Sequence, residues 1–238
     1  MDKKKQYSHI MSFGCMCSTA LFLRKYGFRS ESTIYDWFSS SLLSNLKMLD
    51  DGFKNLLKKE YLYQPYKEFP HIVDNSFYDV SLNHIFDEYT SFKKQIKNVT
   101  KICNTRINRF MENLKSGGSL LVYYSRDEKE CKWISKNQAL LKGYCKKYGF
   151  DWLFITNYRL EDDFIFPNYV VPTNNIHKPY GGGVSFPFEN EKPIVDYLAN
   201  HYSPELIKEN LKHKEKKHAV KKIIRRLKKM SGIKLKIK

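Results

Sequence analysis

No stretch of this sequence is apolar for long enough to cross a membrane. The run that follows the basic start, Met1-Asp2-Lys3-Lys4-Lys5-Gln6-Tyr7, is broken by Gly14 and Arg24, which also makes it too short for the core of a secretion signal. The chain is accordingly expected in the cytoplasm. Paired cysteine motifs are absent too: Cys15 and Cys17 form a C-x-C, and Cys103, Cys131 and Cys145 stand alone. Five unpaired thiols argue against a disulfide framework and a structural zinc site, and predict reduced cysteines. The one glycine run, Gly181-Gly182-Gly183, lacks a Walker lysine and a strand leading into a helix. Neither a cofactor nor a metal is expected. Acidic residues are scarce, 25 against 42 lysines and arginines, which leaves a formal charge of +17.

That charge is unevenly spread, and its distribution matters more than its size. Residues 205–238 hold 14 Lys or Arg against 3 Asp or Glu, so most of the excess sits in a C-terminal tail. Within it Val220, Ile223, Ile224, Leu227 and Met230 recur at helical spacing among basic residues. Such a basic amphipathic helix suits an anionic membrane surface, phosphate groups, or packing of one apolar edge on the body. The body is only mildly basic, which points away from nucleic acid. The organisation expected is one domain over 1–204 and a basic helical tail over 205–238, with peripheral attachment at the inner face of the membrane as its use.

With 42% hydrophobic and 15% aromatic residues the body can bury a core. Apolar runs at Ile10–Phe13, Ser119–Ser125, Asp151–Thr156 and Asn168–Pro172 read as strands. Helical spacing appears over Ser18–Tyr26, Leu42–Leu49, Phe92–Leu114 and about Glu130–Tyr148, closed by Gly27, Gly117-Gly118 and Gly149. Phe53–Tyr66 reads as helical and then aromatic, and Val73–Val80 as a weak strand. Helices separating strands that are apolar throughout are the signature of an α/β fold, a mainly parallel sheet with helices on both faces. In such sheets ligands gather at the carboxyl ends of the strands, where Cys17 and Arg126 both fall and Asn157 can join them.

The chemistry-bearing stretch is Ser12-Phe13-Gly14-Cys15-Met16-Cys17-Ser18-Thr19-Ala20-Leu21 with Tyr35-Asp36-Trp37 after it. Gly14 permits a tight turn, and Cys17 opens a helix. Amide groups at a helix N-terminus favour an anion, so a thiol there is expected to have a lowered pKa. Two readings follow: a nucleophile, or a small buried hydrophobe. Asp36, between two aromatics, needs donors, and either orients a histidine or caps a helix start.

Ser12-x-Gly14-x-x-Cys17-x-x-Ala20-x-x-Leu23, Gly27-Phe28-Arg29, Asp36-Trp37, Val73-Asp74, His84-Ile85-Phe86 and Arg106-x-x-Arg109-Phe110 occur in this order, with a strand running into Arg126. Over about residues 8–160 this resembles the domain family described as "putative papain-like cysteine peptidases". The sequence departs from the family pattern at Met16, Ile34 and Ile85. The resemblance implies Cys17 as nucleophile, His84 as its base and Asp36 as an orienting group, with amides near Gly14 and Cys17 stabilising an oxyanion. His177 is the second candidate base. Together with Gly14 and Trp37, Arg106, Arg109 and Arg126 are candidate substrate contacts. The function read here is a cysteine-dependent hydrolase or acyl transferase acting on an acyl, peptide or glycan substrate. The alternative is a transferase or accessory protein of surface polysaccharide assembly, in which the arginines meet a phosphorylated or acidic sugar.

Overall fold

A computed structural model describes residues 5–29, 31–69, 71–82, 85–171 and 191–214. In chain order the elements are β1 (His9–Ser12), α1 (Cys17–Lys25), α2 (Leu42–Asp50), β2 (Leu62–Tyr63), β3 (Asp74–Asn75), β4 (Val80–Ser81), α3 (Phe92–Lys115), β5 (Ser119–Ser125), α4 (Glu128–Lys136), α5 (Gln138–Tyr148), β6 (Phe150–Thr156), β7 (Asn168–Val170) and α6 (Lys192–Asn200). A further helical segment runs over 204–214.

The main sheet has the order β1-β5-β6-β7, and every pairing in it is parallel. All seven residues of β5 are buried, as a central strand covered on both faces requires. Its side chains alternate between two cores. Leu121 and Tyr123 join Phe13, Trp152, Phe154 and residues of α2, α3, α4 and α5 on one face. Leu120, Val122 and Tyr124 join Phe22 and Leu23 of α1 and Ile194 and Leu198 of α6 on the other. The expected α/β architecture is therefore present, with helices on both faces of the sheet.

Three local expectations change. The helix expected over Glu130–Tyr148 is two helices, broken at Asn137, whose Nδ2 bonds the Trp133 carbonyl at 2.7 Å. That side-chain bond competes with continuation of the helix. Residues 51–57 form turns rather than a helix. The weak strand at Val73–Val80 is a hairpin of two-residue strands, β3 and β4, pairing antiparallel with β2. Its reversal is fixed by Asn75, whose Oδ1 accepts from the Tyr78 amide, and by Asp79 at φ +56°.

The first part of the expected tail, residues 205–214, is helical and packed on the body. Asn210 donates to the Gly27 carbonyl at 2.9 Å, and a side chain at Gly27 (φ +76°) would meet Leu211 and Ile207. Residues 215–238, including the Val220–Met230 run, lie outside the described residues. No helix among the described residues is long and apolar enough to cross a membrane.

Candidate active site at the turn between β1 and α1

Gly14 (φ +100°) and Cys15 (φ +65°) reverse the chain between the end of β1 and the start of α1. The left-handed region costs a cysteine about 1–2 kcal/mol, so the surroundings must hold it there. Asn45 of α2, fully buried, donates Nδ2 to the Phe13 carbonyl. The Ser40 amide reaches the Cys15 carbonyl at 3.4 Å. Ser39 in turn exchanges both backbone bonds with Ser81 at 2.9 Å, which ties the small sheet to the serine loop and the loop to the turn. Ser41 caps α2 by accepting from the Ser44 amide.

Cys17 is the first residue of α1, and its thiol is half-buried. The N-cap is Met16, whose side chain accepts no capping bond from the first-turn amides. Five buried polar atoms without a partner among the described residues lie at this end of the sheet: Ser18 Oγ, Thr19 Oγ1, Ser40 Oγ, Asn45 Oδ1 and Thr156 Oγ1.

The thiol does not have the lowered pKa expected of a helix terminus. Burial pushes Cys17 up from its ordinary value, and the hydrogen bond with its own amide opposes this only in part. Cys15, the more enclosed of the two, is pushed up to about 12 by burial and by the Glu130 carboxylate, with Arg126 pulling the other way. Arg126 is exposed beyond the end of β5, as expected. Glu130, which the sequence did not single out, accepts from the Leu42 amide (2.7 Å), Tyr123 Oη (2.8 Å) and Ser125 Oγ (2.5 Å), binding α4, β5 and the start of α2 together. Among the described contacts Asn157 accepts from Tyr124 Oη and donates to the Val171 carbonyl.

Asp36 is fully buried on a short 3-10 turn, Ile34–Trp37. One oxygen takes the Arg29 guanidinium and the Thr33 amide, and the other takes Thr33 Oγ1. Its described partners are thus an arginine and a cap, with no histidine among them, and the helix start that it caps is its own. Trp37, half-buried, ends the same turn. Arg106 and Arg109 lie apart from Arg126, on α3 beside Glu31 and Ser32, and Arg126 does not line their pocket. His84 and His177 lie outside the described residues. Among the described residues no group of three His, Cys, Asp or Glu side chains could hold a metal.

Accessibility and burial rank the five thiols. Cys103 and Cys145 are pushed up to about 11 and 12, and Cys103 and Cys131 are buried. At about pH 8, iodoacetamide is expected to modify Cys17 before the other four, with Cys15 slower for its raised pKa and Cys103 reacting only as the protein unfolds. Mass spectrometry of a time course reads the order, and early labelling of Cys15 would contradict it. Because the raised thiols hold protons that the unfolded chain would release, their contribution to stability is full below about pH 9 and is lost as the pH climbs towards 11–12.

A cysteine presented by a strained strand-to-helix turn, at the carboxyl edge of a parallel sheet with helices on both faces, defines an α/β protein with a candidate thiol centre. Residues 8–142, from β1 into α5, match the family described as "putative papain-like cysteine peptidase", and the chain belongs to that family. No curated protein and no solved structure matches it.

Proposed function

We propose that the protein is a cysteine-dependent hydrolase or acyl transferase with Cys17 as its nucleophile. The observation that carries this reading is the first turn of α1 beside a half-buried thiol: the N-cap Met16 makes no side-chain capping bond, so the Ser18 and Thr19 amides are available to a developing oxyanion. An apolar N-cap forgoes about 1 kcal/mol relative to Ser, Thr, Asp or Asn, a loss that binding at this terminus offsets.

A thiol whose pKa is raised rests protonated and needs a base when it attacks. His84 is the base in this reading. Ser81, three residues before it, is bonded to Ser39, whose neighbour Ser40 reaches the Cys15 carbonyl, and three residues span at most about 10 Å. Asp36 is left out of the reaction, since Arg29 and Thr33 already occupy its carboxylate. The base takes the thiol proton as sulfur attacks the acyl carbon. The carbon–sulfur bond forms, the leaving group departs with its electron pair, and water or an acceptor then cleaves the thioester.

The test is a stoichiometric burst with p-nitrophenyl acetate. Wild-type protein should release p-nitrophenolate in a burst and carry the acetyl group on Cys17, identified by peptide mass spectrometry. Cys17→Ser should lose the burst, and His84→Ala should slow it by about a hundredfold or more. An acetyl group found elsewhere, or a burst surviving Cys17→Ser, would overturn the assignment.

A further inference from the structure

Beyond the thiol turn, the molecule has a second polar concavity with a different chemistry. A pocket of about 620 Å³ opens between the last turn of α1, the loop after it, the middle of α3 and the helical segment over 204–214. Six side chains lining it are basic, Arg24, Arg29, Lys101, Arg106, Arg109 and Lys214, and Glu31 is the one carboxylate among the described lining residues. Glu31 is taken by Arg109 Nε at 2.7 Å, and Asp36 behind the wall is taken by Arg29. Among the described residues no carboxylate pairs with Arg24, Lys101, Arg106 or Lys214.

Two of the guanidinium groups are incomplete. Arg29 is only 7% exposed, and although its Nη1 meets Asp36, its Nε is buried with no hydrogen-bond partner. One Nη of Arg106 is in the same state. A buried N–H of a charged group left unmade costs more than a neutral one, and three guanidinium groups in one wall repel each other. Burial pulls the Arg106 pKa down, the nearby Asp36 opposes this, and Arg29 and Arg109 add to the fall. An anion seated in the pocket among these cations offsets their mutual repulsion.

We infer that this pocket is a binding site for a phosphate ester of a small polar molecule. Forked guanidinium groups match the paired oxygens of a phosphate, which Lys101 and Lys214 further neutralise. The volume exceeds what inorganic phosphate fills and lies within the range of small-molecule sites. The rest of the lining mixes the hydroxyls and amides of Ser32, Asn98, Thr105 and Asn210 with His213 and the apolar Ile102, which suits a mainly polar remainder. The site is independent of Cys17. Arg24 lies seven residues along α1 from it, about 10 Å along the helix axis, and the loop carrying Arg29 continues away from the strand carboxyl ends.

Isothermal titration of the full chain with glucose 1-phosphate and with diphosphate tests the inference. Saturable one-to-one binding is expected. Arg106→Gln should weaken it by about tenfold or more, and Arg106→Lys should recover part of the loss. Lys228→Gln/Lys229→Gln, in the basic tail, should leave it unchanged. Absence of binding at millimolar ligand, or a loss that follows the tail lysines and spares Arg106→Gln, would overturn the proposal, provided the variants keep the wild-type circular dichroism. Vesicles of phosphatidylcholine and phosphatidic acid separate two sources of the same chemistry. Co-sedimentation that Arg106→Gln abolishes identifies a lipid headgroup, and Arg106-dependent titration with glucose 1-phosphate without Arg106-dependent co-sedimentation identifies a soluble ester.

Discussion

Asp36→Ala is expected to lower the unfolding free energy by about 3–5 kcal/mol, because it leaves a buried arginine without its counter-charge. Arg29 and Asp36 are both at least nine-tenths buried, and the carboxylate also accepts from the Thr33 amide and hydroxyl. Removing it therefore ends an ion pair and a cap in one step. The attraction that Asp36 exerts on Arg106 is lost with it, which leaves the three arginines of the anion pocket facing each other with Glu31 alone. The cause can be separated from simple loss of contacts. Arg29→Met/Asp36→Leu removes both charges and should regain most of the stability, remaining about 1 kcal/mol short for the missing cap. Urea unfolding followed by far-UV circular dichroism at fixed salt measures all three proteins. A loss under about 1 kcal/mol in Asp36→Ala, or a double variant no better than the single, would show that the buried charge is not what the pair controls.

The strands that set the architecture were legible because they are uninterrupted: Ser119–Ser125 is apolar or small throughout, and only a strand covered on both faces reads that way. The long amphipathic pattern of α3 and the glycines closing helices were legible for the same reason, since periodicity and left-handed caps are local properties. The break at Asn137 was not. One side-chain bond to Trp133 decided it, inside a segment whose spacing favours a continuous helix. The site divides along the same line. That Cys17 opens a helix follows from Gly14 and the apolar spacing after it, but the direction of its pKa depends on how much of the fold covers the thiol, and burial outweighed the helix terminus. Asp36 was recognised as a carboxylate in need of donors. Its partners, Arg29 and Thr33, are near in sequence, yet nothing in composition chooses them over a histidine. Arg106, Arg109 and Arg126 are candidate substrate contacts alike in the sequence, and the fold puts the first two on α3 and the third just beyond the end of β5. Arg29 stands in the Gly27-Phe28-Arg29 landmark without a role attached to it, and Arg24, Lys101 and Lys214, which complete the pocket, carry no signal beyond being basic in a basic chain.

Gly14→Ala is the substitution in which fold and chemistry should fail together. A Cβ built there stands 2.5 Å from Asn45 Nδ2 and 3.0 Å from Ser40 Oγ, at a φ of +100° that side chains rarely adopt. Asn45 is confined: it is fully buried, its Nδ2 is bound to the Phe13 carbonyl, and its backbone carbonyl accepts from Tyr35 Oη at 2.9 Å. The turn must move instead, at a cost of about 2–4 kcal/mol from backbone strain and overpacking. Since Cys17 follows three residues on, any shift displaces both its sulfur and the amides of the first turn of α1. Misplacement of a reacting group by about 1 Å can slow a reaction a hundredfold, so the p-nitrophenyl acetate burst should fall by a similar factor in protein that is still folded at low temperature. Gly14→Ala/Asn45→Ala relieves the collision without relieving the backbone, and so should recover part of the melting temperature and little of the burst. Stability lost with the burst rate intact would mean that the turn serves the fold alone, and that the reactivity of Cys17 does not depend on how Gly14 and Cys15 carry the chain from β1 into α1.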